Sequence, residues 1–578
     1  MLHHPVPRKI VRRAPAPPDQ RLDGVPDLLR RIYLARDLTD AAQLDRNLAR
    51  LPSPWLLGGM EAMVAELVAA LRERRHLLIV ADFDADGATS CAVAILGLQA
   101  MGAGRVSYLV PNRFEYGYGL TPEIVEVAWE RRPDLLLTVD NGISSLAGVA
   151  AANGRGLRTL ITDHHLPGKE LPEAAAIVNP NLPGDEFPGK SLAGVGVMFY
   201  VLMALRAHLR ELGWFNTRGL PEPNLGQLLD LVALGTVADV VALDHVNRIL
   251  VHQGLQRIRS GQARPGIAAL LEVAGRSAKA AVAADLGFAA APRLNAAGRL
   301  EDMALGIECL LAEDAERARG LASQLDALNR ERREIEDQMK LDAHAILAGM
   351  PAQAGGSPAC CLFDPGWHQG VIGILAGRIK DRLQRPVIAF APAGGEEIKG
   401  SARSIPGVHI RDVLSAIAAS QPDLLTRFGG HAMAAGLSLR RDQLARFRHA
   451  FETEVAKHLD GLELDQVVHS DGPLQPRELC LDLAERLRQA GPWGQQFPEP
   501  LFDGEFEVVQ CRIVGQRHLK WVLQPAAAGG LVDAISFFVD EPERWLGCRR
   551  LRAAYRLDIN EFRDNRSLQL RLEYMESL

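Results

Sequence analysis

From residue 76 the chain alternates short apolar runs with stretches of helical period. Residues 77–81 (LLIVA) form an unbroken aliphatic run that reads as a buried strand, and 88–101 carries small and apolar residues at helical spacing. Strand patterns recur at 106–110, 135–139 and 159–162, separated by a helix at 124–131 and a second, short one. Strands alternating with helices predict a doubly wound α/β domain on a mostly parallel sheet. Before it, residues up to about 70 read as a leader followed by helices. After it, 228–241 is an apolar helical pattern, and 313–350 runs without proline as one long helix, weakest at Gly320. A second α/β block follows, with strands at 361–363 and 387–390 around a helix at 371–383. Beyond residue 465 short strands dominate, at 506–514, 520–524, 534–539, 555–559 and 568–572, which suits a small β-barrel of the OB type.

Chemistry enters where the strands stop. The 77–81 run passes into Asp82-Phe83-Asp84-Ala85-Asp86-Gly87, three carboxylates at alternate positions followed by a glycine. Crowded carboxylates repel one another, and a cation is the usual remedy. The spacing is that of an EF-hand opening, but the twelfth loop position is Val93, where a bidentate Glu is required, and a strand precedes the loop. The cluster therefore belongs to a strand end, where open α/β sheets gather ligands. Two further strands end alike, in Asp140-Asn141-Gly142 and in Asp163-His164-His165. A mixed carboxylate and imidazole set suits Mn²⁺ or Mg²⁺, with Mn²⁺ favoured by the histidine. In the 228–241 helix, Asp239 follows a Gly-Thr break and is the better ligand candidate, with Asp230 as the alternative.

The second block adds anion-binding features. Gly429-Gly430-His431 opens a glycine-rich turn, and Gly400-Ser401-Ala402-Arg403-Ser404 offers hydroxyls and a guanidinium. In the barrel, Lys520, Arg549, Arg550, Arg552 and Arg556 suit either a nucleic-acid groove or a solvated surface.

Composition narrows the classes. With 578 residues, 47% hydrophobic and 24% charged, the chain has room for three or four domains. No apolar run approaches the ~20 residues of a membrane span, and the basic, then Pro-rich N-terminus lacks the apolar core of a secretory signal. The seven cysteines are scattered without a C-x-x-C, so neither a disulfide framework nor a zinc site is expected, and the expected compartment is the cytoplasm. The net charge of −6 does not exclude a local basic groove.

Nine ordered motifs carry a resemblance: ADFDADG at Ala81, PNRFEYGYG at Pro111, TVDNGIS at Thr138, TDHH at Thr162, LGTVADVV at Leu234, PRLNAAGR at Pro292, GWHQGVIGILAGR at Gly366, GSARS at Gly400 and GGHAMAAG at Gly429. Together they resemble the DHH/DHHA1 phosphoesterase superfamily and, within it, the RecJ family of single-stranded-DNA-specific exonucleases. The resemblance implies N-terminal leader and helices (1–50), a DHH catalytic domain (51–265), a helical linker (266–350), a DHHA1 domain (351–460) and an OB-fold (461–578). It implies 5′→3′ hydrolysis of single-stranded DNA to 5′-mononucleotides by two metal ions, in repair and recombination. It further implies metal ligation by Asp84 and Asp140, with Asp82 beside them, and by Asp86, Asp140, His164 and Asp239. His165 would face the scissile phosphate and Asp163 would orient the histidines. Arg113, Ser401 and Arg403 would grip a 5′-phosphate; Arg293, Asn295, Arg299, His368 and His431, with Gly429 and Gly430, would meet other phosphates. The implied partners are 5′-phosphorylated single-stranded DNA, a single-stranded-DNA-binding protein and a RecQ-type helicase; the chain's self-contained architecture predicts a monomer. The alternative reading is a DHH phosphodiesterase acting on short oligonucleotides or cyclic dinucleotides. The family's GP-x-G-x-GNPEP segment is altered here to Gly491-Pro492-Trp493-Gly494-Gln495-Gln496-Phe497-Pro498-Glu499-Pro500.

Overall fold

The computed structural model describes residues 9–14, 22–112, 115–349, 357–459, 467–526, 529–562 and 565–578. Contacts divide the chain into two compact units, one of Ile10–Asp326 with Val468–Leu578 and one built on Ala327–Val467.

The larger unit holds a five-stranded parallel sheet. Its order is Arg105–Leu109, His76–Ala81, Leu135–Val139, Arg158–Thr162 and Ala176–Val178. The last strand escaped the sequence pattern because it is only three residues long. His76–Ala81 is buried along its whole length, as a central parallel strand must be. The chain leaves it toward one edge and then returns to its other side, so the order reverses beside this strand. That reversal opens a crevice at the carboxyl ends of the strands. Register does the rest: Ala81 pairs with Val139 and Val139 with Thr162, so Asp82, Asp140 and Asp163 emerge side by side.

The first helix runs from Ala85 to Ala100, three residues earlier than its apolar pattern suggests. Asp84 causes this: as N-cap it accepts from the N–H groups of Asp86 (2.9 Å) and Gly87 (3.0 Å). Small residues let neighbouring helices approach closely. A Cβ on Gly97 would fall 2.3 Å from Leu202 of the Gly194–Glu211 helix, and one on Gly235 would fall 2.1 Å from Thr89.

In the same unit, Phe502–Val514, His518–Pro525, Val532–Ser536, Asn565–Ser577 and Arg550–Phe562 close into a barrel around Trp521, Phe502 and Tyr555. Four of these strands are longer than the sequence suggests. The third stops at Ser536, before Phe538 turns to φ 53°. Three of the four arginines considered for a nucleic-acid groove pair with carboxylates: Arg550 with Glu505 (3.5 Å), Arg552 with Asp503 (4.0 Å), and Arg556 with Glu499 and Glu573.

The altered GP-x-G segment joins barrel to sheet. Phe497, 2% exposed, stacks with Trp493 and Tyr33, while Arg36 lies over Trp493 and Arg248 over Phe497. Beside the stack, Arg36 makes two hydrogen bonds to Asp471, at 2.8 and 3.0 Å. The substituted Gln496-Phe497 pair thus supplies an apolar anchor, with Gln496 held at φ 57°.

The helix Ala315–Gly349 is continuous for 35 residues, without a break at Gly320. The division between the units falls inside it, at Asp326/Ala327, and not at an end of the expected 266–350 linker. The smaller unit carries a mixed sheet ordered Arg427–Gly430, Ala434–Arg440, Glu397–Arg403, Val387–Gly394 and Cys360–Phe363, with Phe390, Phe447 and Phe451 in its core. All seven cysteines are free thiols, and no single helix among the described residues is long and apolar enough to cross a membrane.

Both side chains of the Arg36–Asp471 pair are 1% exposed, so removing one partner strands a buried charge. Asp471→Ala is expected to destabilise the larger unit by about 3–5 kcal/mol, read as a lower urea midpoint in tryptophan fluorescence; an unchanged midpoint would show that the pair is dispensable.

Candidate metal centre

The strand ends and two helix ends bring the acidic residues to one place. Ligand atoms of Asp82, Asp84 and Asp140 all lie within 4.8 Å of one another, as do those of Asp86, His164 and Asp239, and those of Asp140, His164 and His165. The first two groups are linked through Asp140, whose Oδ1 stands 3.2 Å from His164 Nε2, with Asp239 Oδ2 3.4 Å from the same nitrogen. All six candidate ligands therefore occupy one cluster, with Asp140 at its centre. Asp230 is elsewhere: its carboxylate accepts from the N–H groups of Leu231 and Arg264 and is wholly buried. Of the two alternatives, the structure brings Asp239 and not Asp230 into the cluster.

Each side chain is held by its local backbone. Asp86 accepts from Gly194 N (2.7 Å) and Val195 N (3.0 Å), the first N–H groups of the Gly194–Glu211 helix, where the helix dipole favours an anion. Gly194 is required there, because a Cβ would sit 2.6 Å from both Cβ and Oδ1 of Asp140. Asp140 itself adopts φ 62°, a strain of about 1–3 kcal/mol of the kind found at functional sites. Asn141 steadies the turn by donating to Val80 O and Val139 O. Asn181 and Asn179 donate to the carbonyls of His164 and His165.

Electrostatics separate two kinds of carboxylate. Burial, then repulsion from neighbouring aspartates, raises Asp140 and Asp239 well above the usual carboxylate range and pushes Asp86 up to about 7. Asp140 Oδ1 is buried and accepts no hydrogen bond. Carboxylates so placed stay anionic only beside a cation, and an oxygen-rich donor set with one imidazole fits a hard or borderline divalent ion.

Asp163 behaves oppositely. Burial opposes its charge, but hydrogen bonds from His165 Nδ1 (2.7 Å), the N–H groups of His164 and His165, and Ile143 N hold its pKa below the ordinary value. It is an orienting anion, its oxygens already satisfied. In return, His165 is pushed up to about 9, its burial outweighed by the hydrogen bond and charge of Asp163. With Nδ1 on Asp163, its Nε2 is directed away from that carboxylate.

Tyr118 was not singled out by the sequence reading. The residue is 47% exposed, yet its hydroxyl turns inward, donating to Asp140 O at 3.3 Å and standing 3.2 Å from His165 Nδ1. Burial and four nearby aspartates keep the phenol protonated, and its single O–H is donated to the Asp140 carbonyl. The PNRFEYGYG motif contained it, but its placement depends on the loop leaving the Arg105–Leu109 strand.

The expected phosphate-contacting residues distribute differently. Arg113 lies outside the described residues. Arg293 is 7% exposed, pairs with Asp326 (2.7 Å) and donates to Ala289 O (2.7 Å), contacts that brace its helix. Asn295 Oδ1 accepts from Ala85 N at 2.9 Å and thereby holds the Asp84–Asp86 turn. Arg299 is half-buried on the same helix.

In the smaller unit, Ser401 and Arg403 lie beside the start of the Ile372–Leu383 helix, where a Cβ on Gly373 would come within 2.9 Å of both side chains. Arg403 donates to Ser401 Oγ (3.1 Å), and His368 Nδ1 accepts from Gly370 N (3.1 Å), which leaves the ring proton on Nε2. A guanidinium, a hydroxyl and a helix N-terminus together suit a phosphate. Gly429 and Gly430 form no open turn. They pair with Gly436 and Ala435 in a hairpin whose tip begins at His431.

Known proteins carry the same parts in the same order. The family model for the DHH family N-terminal domain matches residues 76–236, that for the DHHA1 domain 356–457, and that for the RecJ OB domain 470–574. The single-stranded-DNA-specific exonuclease RecJ of Dickeya dadantii (strain 3937) is 54% identical over 569 residues, 98% of each chain. The chain belongs to the RecJ family. The Escherichia coli K12 member is 53% identical over 551 residues, 94% of this chain and 95% of that one. RecJ of Thermus thermophilus in complex with Mn²⁺ superposes at a TM-score of 0.79 with 30% identity, over 98% of this chain and 79% of that one. Its Mg²⁺ complex superposes at 0.74 with 28% identity, over 98% and 78%.

Gly194→Ala is expected to leave the fold intact and weaken Mn²⁺ binding at least tenfold, about 1.4 kcal/mol, because the methyl displaces Asp140. Calorimetric titration with Mn²⁺ reads this; wild-type affinity would show that the close approach is not needed.

Proposed function

We propose that this protein hydrolyses single-stranded DNA from the 5′ end to 5′-mononucleotides, as a metal-dependent exonuclease of DNA repair and recombination. The supporting observation is the pair of ligand triads joined at Asp140. Asp82, Asp84 and Asp140 would hold one divalent ion, and Asp86, Asp140, His164 and Asp239 the other. Two such ions, Mn²⁺ or Mg²⁺, supply an activated water and neutralise charge at the phosphorus in an in-line displacement.

The chain's own groups account for the remaining steps. Asp163 keeps His165 protonated and fixed in orientation, so the imidazolium presents a charge-assisted donor to a non-bridging phosphate oxygen. Tyr118, held protonated, donates its O–H to the Asp140 carbonyl and steadies that turn beside His165. Asn295 and the helix N-termini keep the aspartate loop in register when charge develops. Ser401 and Arg403, with the N-terminus of Ile372–Leu383, are suited to a terminal 5′-phosphate, which would set the polarity of attack.

We carry four finer expectations into the same proposal. The domain division is 1–50, 51–265, 266–350, 351–460 and 461–578, and the working form is a monomer. The compartment is the cytoplasm, which suits seven unpaired thiols. The protein partners are a single-stranded-DNA-binding protein and a RecQ-type helicase.

The test is incubation with a 5′-phosphorylated, 3′-labelled single strand. With Mn²⁺ the label is expected on a ladder shortening from the 5′ end, with mononucleotides released. EDTA abolishes this, and Asp140→Ala lowers it at least about 10³-fold, as loss of a principal electrostatic element does. Intact long DNA alongside cleavage of di- to pentanucleotides would replace the proposal with a small-substrate phosphodiesterase.

A further inference from the structure

The aspartates of the metal centre are held in different ways. Asp84 caps a helix and Asp86 accepts from the first N–H groups of another. Asp239 sits just past the end of the Leu229–Ala238 helix, its Oδ2 3.4 Å from His164 Nε2. The residue after it, Val240, has φ 63° and is 63% exposed. This is the left-handed position that ends many helices, where glycine is usual and a β-branched side chain is strained. Such strain persists only where the surroundings over-determine the conformation. An exposed valine packs too little to do so, and the compensation falls to the residues that follow.

Those residues are tied to the altered segment that precedes the barrel. Leu243 N donates to Gln495 O at 2.9 Å. The Leu243 side chain, 3% exposed, lies against Gly494, where a Cβ would come within 2.7 Å of it. Arg248 closes the tie from the other side: its Nη1 donates to Leu243 O at 2.9 Å, and its guanidinium lies over the Phe497 ring, 4.6 Å from the centroid. Gln495 is itself fixed, because Gly494 and Phe497 exchange N–H···O bonds of 2.9 and 3.1 Å around it, and Phe497 is stacked on Trp493. Asn247 completes the clasp by donating to Ala242 O at 2.8 Å and Ser191 O at 2.7 Å.

We infer that Phe497 and Leu243 are positioning residues for the metal centre. Through the Gln495–Leu243 tie, the segment before the barrel holds the strained turn at Val240 and so keeps Asp239 at its cation position. The inference rests on the metal-centre reading and deepens it, by naming what positions one ligand. It also gives a role to Phe497, which stands where this chain departs from the family's GP-x-G segment. Asp82, Asp84 and Asp140 are held by strand ends and by the Asp84 cap, so only the ion position that includes Asp239 depends on the tie. Because the tie and that ion favour the same turn, each strengthens the other by the same factor.

The test is titration of the full, metal-stripped chain with Mn²⁺ alone. Calorimetry reads the two affinities, and electron paramagnetic resonance reads the magnetic coupling of paired ions. Phe497→Ala is expected to weaken one of the two sites about tenfold, as loss of an outer-shell support does, and to replace the coupled signal by that of an isolated ion. Val240→Gly in the same chain should restore the lost affinity, because glycine takes the left-handed turn without the tie. Leu523→Ala, in the barrel core, should lower stability and leave both affinities unchanged. Unchanged affinities in Phe497→Ala, equal weakening of both sites, or no recovery with Val240→Gly overturns the inference. Should Phe497→Ala fail to fold, hydrogen exchange of the wild-type protein decides. Saturating Mn²⁺ should slow the Leu243 and Phe497 amides more than those of the His518–Pro525 strand, and equal slowing overturns the inference. A wild-type chain that takes up fewer than two Mn²⁺ ions would refute the metal-centre reading itself.

Discussion

Five aspartates that converge on a pair of cation positions, with a sixth beside them, impose the constraint around which the larger unit is built. Like charges a few ångströms apart in a buried crevice repel strongly, and the fold meets that repulsion by unequal means. Asp84 caps a helix, and Asp86 receives the first two N–H groups of another. Asp163 is surrounded by four N–H donors and stays ionised. Asp140 and Asp239 are left without comparable compensation, and their raised proton affinity marks where a cation belongs. The left-handed backbone at Asp140 is part of the same arrangement, because only that turn aims its side chain between the two groups of ligands.

Close approach of backbone elements makes the arrangement possible. Gly87 against Asp82 O, Gly194 against Asp140 and Gly235 against Asp86 each occupy space that a methyl group would fill. The aspartates can therefore be held by helix N-termini pressed directly onto them, without long side chains that would need ordering of their own. The Asp163–His165 pair adds the complementary element, a cation of the protein's own held at the rim of an otherwise anionic site. The barrel is fastened to the same unit through the Arg36–Asp471 pair and the Tyr33–Trp493–Phe497 stack.

Much of this was legible in the chain. The alternating runs from 77 to 162, the long helix and the short strands past 465 each follow from period and length, so the α/β sheet, the connecting helix and the barrel could be read directly. The metal candidates were legible because each stands at the end of a strand pattern or a helix break, with few polar alternatives nearby. What failed did so for local reasons. Residues 176–178 make a strand too short to show a period. The helix after Asp84 began early because capping, which apolar spacing does not register, decided its start. The contacts of Arg293 with Asp326 and of Asn295 Oδ1 with Ala85 N were not legible either, because their partners come from other helices.

The sequence by itself determined the kinds of element, their order and the residue types available at each strand end, because these depend on local periodicity and on chemistry carried within a few residues. Tertiary structure alone decided which carboxylates come together and which accepts from a histidine. That choice depends on strand register, on helix N-termini arriving from more than a hundred residues away, as Gly194 does for Asp86, and on Asp239 reaching the site where Asp230 does not. Tyr118 belongs to the same class: its partners come from distant parts of the chain, and only packing brings them within reach.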